Sequence, residues 1–330
     1  MRKIKNIRDM LVPKGRTIYF DEEAHKYSNE LGFVYTSTTT VVGKYTEDFE
    51  KEKIAKACER IGKNPNHKDF LKYKGKSAKM ILDEWAATTK VSCDFGTIKH
   101  NFLETAVKTA NGYKKNAKGF IDGRIYTIDD IIVNHNYGRL KLKVFEQSGV
   151  KDKYPEIYNI LKGLHEAGYY IYAEIGVYDD NYGISGLIDI LCVNHHTNDF
   201  IIVDWKTNKA PIRFDCGYYK KDDYGLLDLN NWVKKDERFK HPLSHLEDSV
   251  GNHYSMQLST YAYLVTTFGY KFKGLILCHI RPLEQRFVPR ENWNEVIDIY
   301  NLTYLENDSR LMLDDFRMKN VQTQGKLQFD

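Results

Sequence analysis

The spacing of apolar positions changes near residue 170, and this change divides the predicted elements into two groups. Upstream, apolar residues recur every three or four positions, which predicts amphipathic helices. These helices span residues 47–62, 78–90, 94–109, 137–147 and 154–167, with Asp94 as the N-cap of the third. Downstream, apolar runs predict consecutive strands in AEIGVYDD, GLIDILCVN and FIIVDWKT, the last two joined by the polar tip HHTND.

Further elements are predicted toward both ends of the chain. The segment RTIYFDEEAHKYSNELGFVYTSTTT has the short alternating runs and polar turn of a β-hairpin, and its TSTTT end predicts a hydroxyl-capped helix start. A helix over 252–268, a strand over 273–281 and a helix over 292–306 follow, whereas residues 319–330 show no strong pattern. Residues 215–250 form a polar, aromatic and charged insert, and a connection of this length is usually functional or mobile.

Composition limits the class of protein without defining it. The 330 residues are 42% hydrophobic with a formal net charge of +4, so a large core can form, and a local basic groove for nucleic acid is allowed. Apolar runs stay short of the ~20 residues that span a bilayer. The basic start MRKIKNIRDMLVPKG lacks the apolar core of a signal peptide, so we expect a cytoplasmic protein with no membrane partner.

The cysteines are odd in number and scattered. The sequence contains no C-x-x-C pair, and nothing rich in cysteine follows the last of them. This pattern argues against a disulfide framework, a zinc site and an iron–sulfur cluster. The five positions are Cys58, Cys93, Cys192, Cys216 and Cys278.

Two of the predicted strands carry aspartates that a buried strand would not be expected to contain. Side chains alternate along a strand, so Asp204 and Lys206 share a face, and Asp189 and Glu174 can converge with them if the strands pair. A lone Asp-x-Lys is most often a simple ion pair. Here, however, it follows the apolar run FIIV and a partner strand carrying GLID. Buried carboxylates need a cation, and hard oxygen ligands suit Mg²⁺ or Mn²⁺, which favours metal-dependent phosphodiester hydrolysis.

Four motifs in this order resemble those of the PD-(D/E)xK nuclease superfamily, and specifically its RecB-like exonuclease branch. They are the G-x-x-x-H of Gly96–His100, the G-x-x-D of Gly186–Asp189, the D-x-K of Asp204–Lys206 and the Q-x-x-x-Y of Gln257–Tyr261. The flanking segments ILDEWAATT and FLE are similar to those of phage and mitochondrial genome maintenance exonucleases. The resemblance implies a restriction-endonuclease-like α/β fold, with a mixed central sheet flanked by helices. An N-terminal β-hairpin and helical cap would occupy residues 1–90, the nuclease core 91–318 and a tail 319–330.

The same resemblance assigns a role to each motif residue. His100, Asp189 and Asp204 would be metal ligands, completed by the main-chain carbonyl of Trp205, and Lys206 would be the catalytic lysine. The other implied residues are Gln257 and Tyr261, which would hold the DNA backbone or support the lysine, and Glu174, an acidic residue that only some members carry.

Further DNA contacts are expected outside the motifs. In the insert, Tyr218, Tyr219 and Trp232 lie near lysines, a combination that suits stacking on single-stranded bases, although a solvated loop explains it equally well. Thr38 lies in the hydroxyl-rich helix start, which could bind phosphate or simply cap the helix.

These observations predict a Mg²⁺- or Mn²⁺-dependent DNA exonuclease that acts in replication, recombination or repair, with a phage source compatible with the resemblance. We expect it to digest DNA from single-stranded ends threaded between cap and core. The rival hypotheses are a structure-specific endonuclease on the same core and a DNA-binding module without activity.

Overall fold

The computed structural model describes residues 13–112, 123–222 and 225–327, with side chains described up to residue 320. Within these ranges the strands are β1 (Ile18–Asp21), β2 (Lys26–Asn29), β3 (Val34–Ser37), β4 (Tyr170–Asp179), β5 (Ile184–Asn194), β6 (Asp199–Lys206), β7 (Gly217–Lys221), β8 (Leu227–Lys234), β9 (Lys271–Pro282) and β10 (Glu295–Leu302). The α-helices are α1 (Thr38–Gly43), α2 (Lys51–Ile61), α3 (Phe70–Tyr73), α4 (Ala78–Ala110), α5 (Ile128–Val133), α6 (Leu142–Glu146), α7 (Val150–Lys153), α8 (Pro155–Glu166), α9 (Val250–Thr266) and α10 (Glu306–Leu327).

A mixed central sheet organises the larger part of the molecule. Its strand order is β1-β2-β3-β5-β6-β9-β10, with β4 paired to β5 outside this path. The β3–β5 and β6–β9 pairs are parallel, and the other pairs are antiparallel. The predicted class, α/β with a mixed central sheet flanked by helices, is confirmed.

Both faces of this sheet are covered by helices, and for this reason its strands read as nearly continuous apolar runs. On one face, Ile202 and Leu277 pack with Leu258 and Tyr261 of α9. On the other face, a second cluster gathers side chains from β6, α4 and α8, among them Trp205, Leu103 and Leu161. Alternate residues of β6 therefore enter different cores, which leaves few positions for a polar side chain.

Strand β5 changes partners halfway along its length. Its first residues, Ile184 and Ser185, pair with Thr36 and Ser37 of β3. Its second half, residues 190–194, pairs with β6. The sheet consequently forks in the middle of β5, and Asp189 lies at the fork.

The chain divides into two compact units, and the division differs from the predicted one between residues 90 and 91. One unit is Glu47–Lys99, and the other combines the segments before and after it. The smaller unit holds α2, α3 and the first part of α4 around Ala55, Cys58 and Ile81. Strands β1–β3 belong to the larger unit and join its central sheet, so the N-terminal hairpin is part of the core sheet.

Several predicted boundaries in the helical region were wrong. The helices over 78–90 and 94–109 are one helix, α4, and Asp94 lies inside it. Since no proline or glycine separates the two segments, nothing in the chain interrupts helical hydrogen bonding there. Residues 137–147 form a 3₁₀ turn followed by the short α6. The turn places Gly138 against the ring of Tyr172. A larger residue would clash there, because a Cβ at position 138 would be only 2.4 Å from that ring.

Two predictions near the C-terminus were also wrong. The segment predicted as a helix over 292–306 contains β10, which pairs antiparallel with β9. A short apolar run fits the period of a helix as well as that of a strand, and here the open edge of β9 is available for pairing. The tail, for which no element was predicted, continues α10 to residue 327.

Within the insert, β7 and β8 form a separate two-stranded sheet. The strands predicted within residues 173–207 and over 273–281, and the helices over 154–167 and 252–268, are confirmed within a few residues.

Candidate metal centre

The candidate site lies where β5 and β6 separate. The last paired positions of these strands are Ile190 and Val203, so Asp189 and Asp204 follow next in the register and oppose each other. The backbone N–H of Trp205 donates to Oδ2 of Asp189 at 3.1 Å. The Asp189 carboxylate thus replaces the backbone carbonyl that would accept this hydrogen bond if the two strands were still paired. The fork therefore creates the space in which two carboxylates face each other.

Lys206 pairs with the more deeply buried of these carboxylates. Its Nζ lies 2.6 Å from Oδ2 of Asp204, whose side chain is 3% exposed. Burial alone would lower the pKa of Lys206, but the nearby charges of Asp204 and Asp189 outweigh it and raise the pKa above the ordinary value. The lysine is accordingly a fixed positive charge beside the two aspartates.

Helix α4 contributes two further side chains from consecutive turns. Nδ1 of His100 lies 3.6 Å from Oε1 of Glu104 and 3.6 Å from Oδ2 of Asp189. Burial would lower the pKa of His100, but the carboxylate of Glu104 and the charges of Asp189 and Asp204 raise it. The ligand atoms of His100, Glu104 and Asp189 lie within 4.8 Å of one another, a spacing that suits shared coordination of one ion.

The electrostatics of this cluster fit a divalent cation. Burial, followed by the negative charge of Asp204, raises the pKa of Asp189 to about 7. A cation beside this carboxyl group would favour its charged form. Carboxylate oxygens with one imidazole are donors that suit Mg²⁺ and, more so, Mn²⁺. The residues present therefore fit the metal expected from the sequence.

Glu174 and Trp205 are placed differently from the other predicted ligands. Glu174 and Asp189 fall between two paired positions of β4 and β5 and are not themselves paired. The Glu174 backbone is left-handed with φ of 52°, and its carboxylate pairs with Lys108. The indole of Trp205 is fully buried, and the main-chain group that contacts Asp189 is its N–H. Among the described residues, the grouped ligand atoms include neither Glu174 nor Asp204, and Asp204 instead pairs with Lys206.

The Q-x-x-x-Y residues lie on α9 and form an internal pair. Nε2 of Gln257 donates to the Tyr261 hydroxyl at 3.2 Å, and the Tyr261 ring is buried against Gly186. A Cβ at position 186 would be 2.4 Å from that ring, which explains physically why a glycine precedes Asp189 by three residues. Burial raises the pKa of Tyr261 well above its ordinary value.

The aromatic ring beside Lys206 belongs to Tyr254, one turn before Gln257. The Nζ of Lys206 lies 5.1 Å from the centroid of the Tyr254 ring, and the Tyr254 hydroxyl donates to Oδ1 of Asn208 at 3.2 Å. The lysine is thus held between a carboxylate and a ring face whose own orientation is fixed by Asn208.

Thr38 cannot make the phosphate contact suggested for it, because it is fully buried and its hydroxyl donates to the carbonyl of Ser185 at 3.3 Å. The hydroxyl cap of α1 is confirmed, with the side chain of Ser37 accepting from the N–H of Thr40.

The predicted stacking residues of the insert lie on the β7–β8 hairpin, and two of them pack on each other. The rings of Tyr219 and Trp232 are 4.8 Å apart, and the guanidinium of Arg213 lies 4.4 Å from the Trp232 ring. Their free faces are therefore reduced by contacts within the protein. Tyr218 remains 49% exposed.

Sequence reasoning missed two side chains that contact the predicted residues. Glu104 was not among the predicted ligands, although its i, i+4 spacing from His100 places both side chains on one helix face and was a sufficient signal. Tyr254 carries no signal in the sequence, since its neighbour Lys206 is brought to it only by packing of α9 on the sheet.

Comparisons with known proteins identify no family for this chain. No family model matches it, and no curated protein matches it. A solved structure titled "Crystal structure of SSO0001" is 18% identical, with a TM-score of 0.22, and the match covers 54% of this chain and 65% of that chain. A likeness this weak supports no argument about fold or function. Within the described residues, none of the helices combines the length and the apolar character needed to cross a membrane.

Proposed function

We propose that this protein is a Mg²⁺- or Mn²⁺-dependent deoxyribonuclease with a restriction-endonuclease-like core, acting as an exonuclease from single-stranded ends. One observation carries the proposal. The sheet forks where Asp189 and Asp204 oppose each other, and Lys206 is paired with Asp204 at the same place. Two carboxylates and a lysine at one point are the groups that metal-dependent phosphodiester hydrolysis needs.

In this proposal Asp189, Asp204 and His100 hold the ion, with Glu104 beside them. A bound Mg²⁺ or Mn²⁺ supplies Lewis acidity toward a phosphoryl oxygen and lowers the pKa of a water molecule. Lys206 presents a fixed positive charge that can orient the attacking water or stabilise charge on the phosphate. Tyr254 and Asn208 keep that charge in place through the contacts described above.

An isolated ion pair or a catalytically inactive DNA-binding module would not require this arrangement. A single Asp–Lys pair would account for Asp204 and Lys206. It would not explain why the ligand atoms of Asp189, His100 and Glu104 lie close together beside that pair. Both hydrolytic hypotheses, exonuclease and endonuclease, use the same centre and differ in access to a DNA end.

The test is digestion of end-labelled single-stranded and duplex DNA with Mg²⁺, Mn²⁺ or EDTA, beside a covalently closed single-stranded circle. We expect metal-dependent loss of the linear single strand from its ends and an intact circle. Blocking both ends with a bulky protein should stop digestion. Cutting of the circle would favour the endonuclease. Absence of cutting of every DNA with either ion would contradict hydrolysis altogether.

A further inference from the structure

The loop that joins β9 to β10, residues 283–294, exposes an aromatic side chain in an unusual way. Phe287 is 90% exposed, and its backbone is left-handed with φ of 62°. An aromatic residue rarely adopts this conformation, and such strain persists only where the surrounding structure enforces it. Two unfavourable features, apolar exposure and backbone strain, therefore coincide at one residue.

The base of this loop is anchored by specific contacts. The carboxylate of Glu284 accepts from Nζ of Lys209 at 2.6 Å and from the backbone N–H of Leu227 at 3.3 Å. The indole N–H of Trp293 donates to the carbonyl of Val288 at 2.9 Å. The exposed ring is consequently presented by a braced loop.

The loop leaves the sheet at the edge that carries the candidate metal centre. Strands β6 and β9 are parallel, and Lys206, the last residue of β6, is in register with His279. Strand β9 ends at Pro282, so the loop begins about 10 Å beyond the lysine along the strand direction. Lys209, which anchors the loop through Glu284, follows Lys206 by only three residues.

Cationic groups accompany the aromatic rings of this loop. The guanidinium of Arg286 lies 4.5 Å from the centroid of the Phe287 ring. At the base, Lys209 and Arg290 lie 5.1 Å and 6.0 Å from the centroid of Trp293. An exposed ring next to a guanidinium group, as at Phe287 and Arg286, matches a ligand that has flat apolar bases joined by anionic phosphates, and single-stranded nucleic acid has this chemistry.

We propose that Phe287 and Arg286 form a stacking subsite for an unpaired nucleobase of single-stranded DNA, next to the candidate metal centre. This inference rests on the proposed function for its ligand class. Stacking on a ring tolerates any base, so the subsite would retain single strands without sequence preference and would discriminate against duplex, whose bases are already stacked.

The experiment measures binding in EDTA, so that it is independent of cleavage. A labelled oligothymidylate that carries one 2-aminopurine reports affinity by anisotropy and base stacking by fluorescence quenching. The variants are Phe287→Ala and Phe287→Tyr, with Leu31→Ala as the matched control because Leu31 is an apolar residue in the same unit and is 72% exposed. Phe287→Ala should weaken single-strand binding about 5- to 150-fold, the range expected for loss of one stacked base, and abolish the quenching.

Phe287→Tyr and Leu31→Ala should bind the single strand as the unmodified protein does, and duplex affinity should be the same for all of them. Wild-type affinity and quenching in Phe287→Ala would overturn the proposal, as would an equal loss for single strand and duplex. The outcomes separate this inference from the proposed function. Quenching at Phe287 without any cleavage supports the subsite and contradicts the nuclease, whereas cleavage with no effect of Phe287→Ala does the reverse.

Discussion

Strand β6 carries an aspartate near each end, and the two carboxylates lie in opposite surroundings. Asp199 accepts hydrogen bonds from the hydroxyls of Tyr169 at 2.6 Å and Thr197 at 2.7 Å, and it lies within the closed β5–β6 ladder. Asp204 lies just beyond the end of that ladder, opposite Asp189 and against Lys206. Neutral donors satisfy the first aspartate, whereas the second belongs to a cluster of charges. The same residue type on one strand thus accepts hydrogen bonds from neutral hydroxyls at one end and belongs to a candidate metal site at the other.

The largest expected difference between these two ends is in cleavage. Asp204→Asn and Asp189→Asn keep side-chain volume but remove an anionic ligand, and each should reduce DNA cleavage about 1,000-fold or more. Asp199→Asn should leave the rate unchanged, because its partners are hydroxyl donors. Initial rates on end-labelled single strands measure the effect, with circular dichroism to verify folding. Equal rates for Asp204→Asn and Asp199→Asn would remove the basis for the metal-site assignment.

The second expected effect concerns the lysines near the two ends of β6. Lys206 pairs with Asp204, whereas Lys271 of β9 is the register partner of Asp199. Lys206→Met should lower turnover about 100-fold while Mn²⁺ binding, followed by calorimetry, is retained. Lys271→Met should alter neither quantity. A Lys206→Met variant that turns over at the wild-type rate would show that the lysine has no part in the chemistry.

A third prediction contrasts two glycines in stability. A Cβ at Gly186 would meet the Tyr261 ring at 2.4 Å, whereas a Cβ at Gly163 of α8 would meet nothing within 4 Å. Gly186→Ala should therefore lower the free energy of unfolding by about 1–3 kcal/mol. Gly163→Ala should raise it by about 0.5–1 kcal/mol, since alanine favours the helix. Urea unfolding of both variants decides the matter, and an unchanged midpoint for Gly186→Ala would contradict the packing argument.

The smallest expected effect is at the ring that faces Lys206. Tyr254→Leu removes the cation–π contact and should lower kcat about 2- to 30-fold with little change in KM or in Mn²⁺ affinity. Tyr254→Phe keeps the ring face and should stay close to the wild-type kcat. Steady-state kinetics on a single-stranded substrate distinguish the two variants. If both lose activity equally, the hydroxyl contact with Asn208 matters more than the ring.

The sequence alone determined the local features of the fold. The apolar runs around Asp189 and Asp204 predicted β5 and β6, because alternation and β-branched residues act over a few neighbours. Strand alternation also predicted that Asp204 and Lys206 share a face, as their ion pair shows. A hydroxyl cap for α1 was predicted for the same reason, and Ser37 provides it, with its donor and acceptor three residues apart.

The tertiary structure decided what depends on residues distant in the chain. β10 is a strand because β9 offers it an edge, and Thr38 is buried because β3 pairs with β5. The fork at Asp189 exists because β5 exchanges one neighbour for another, which no pattern within β5 records. Tyr254 faces Lys206 because α9 packs on the face of the sheet that carries the lysine. The sequence therefore supplied the reactive groups, and long-range pairing determined which of them meet.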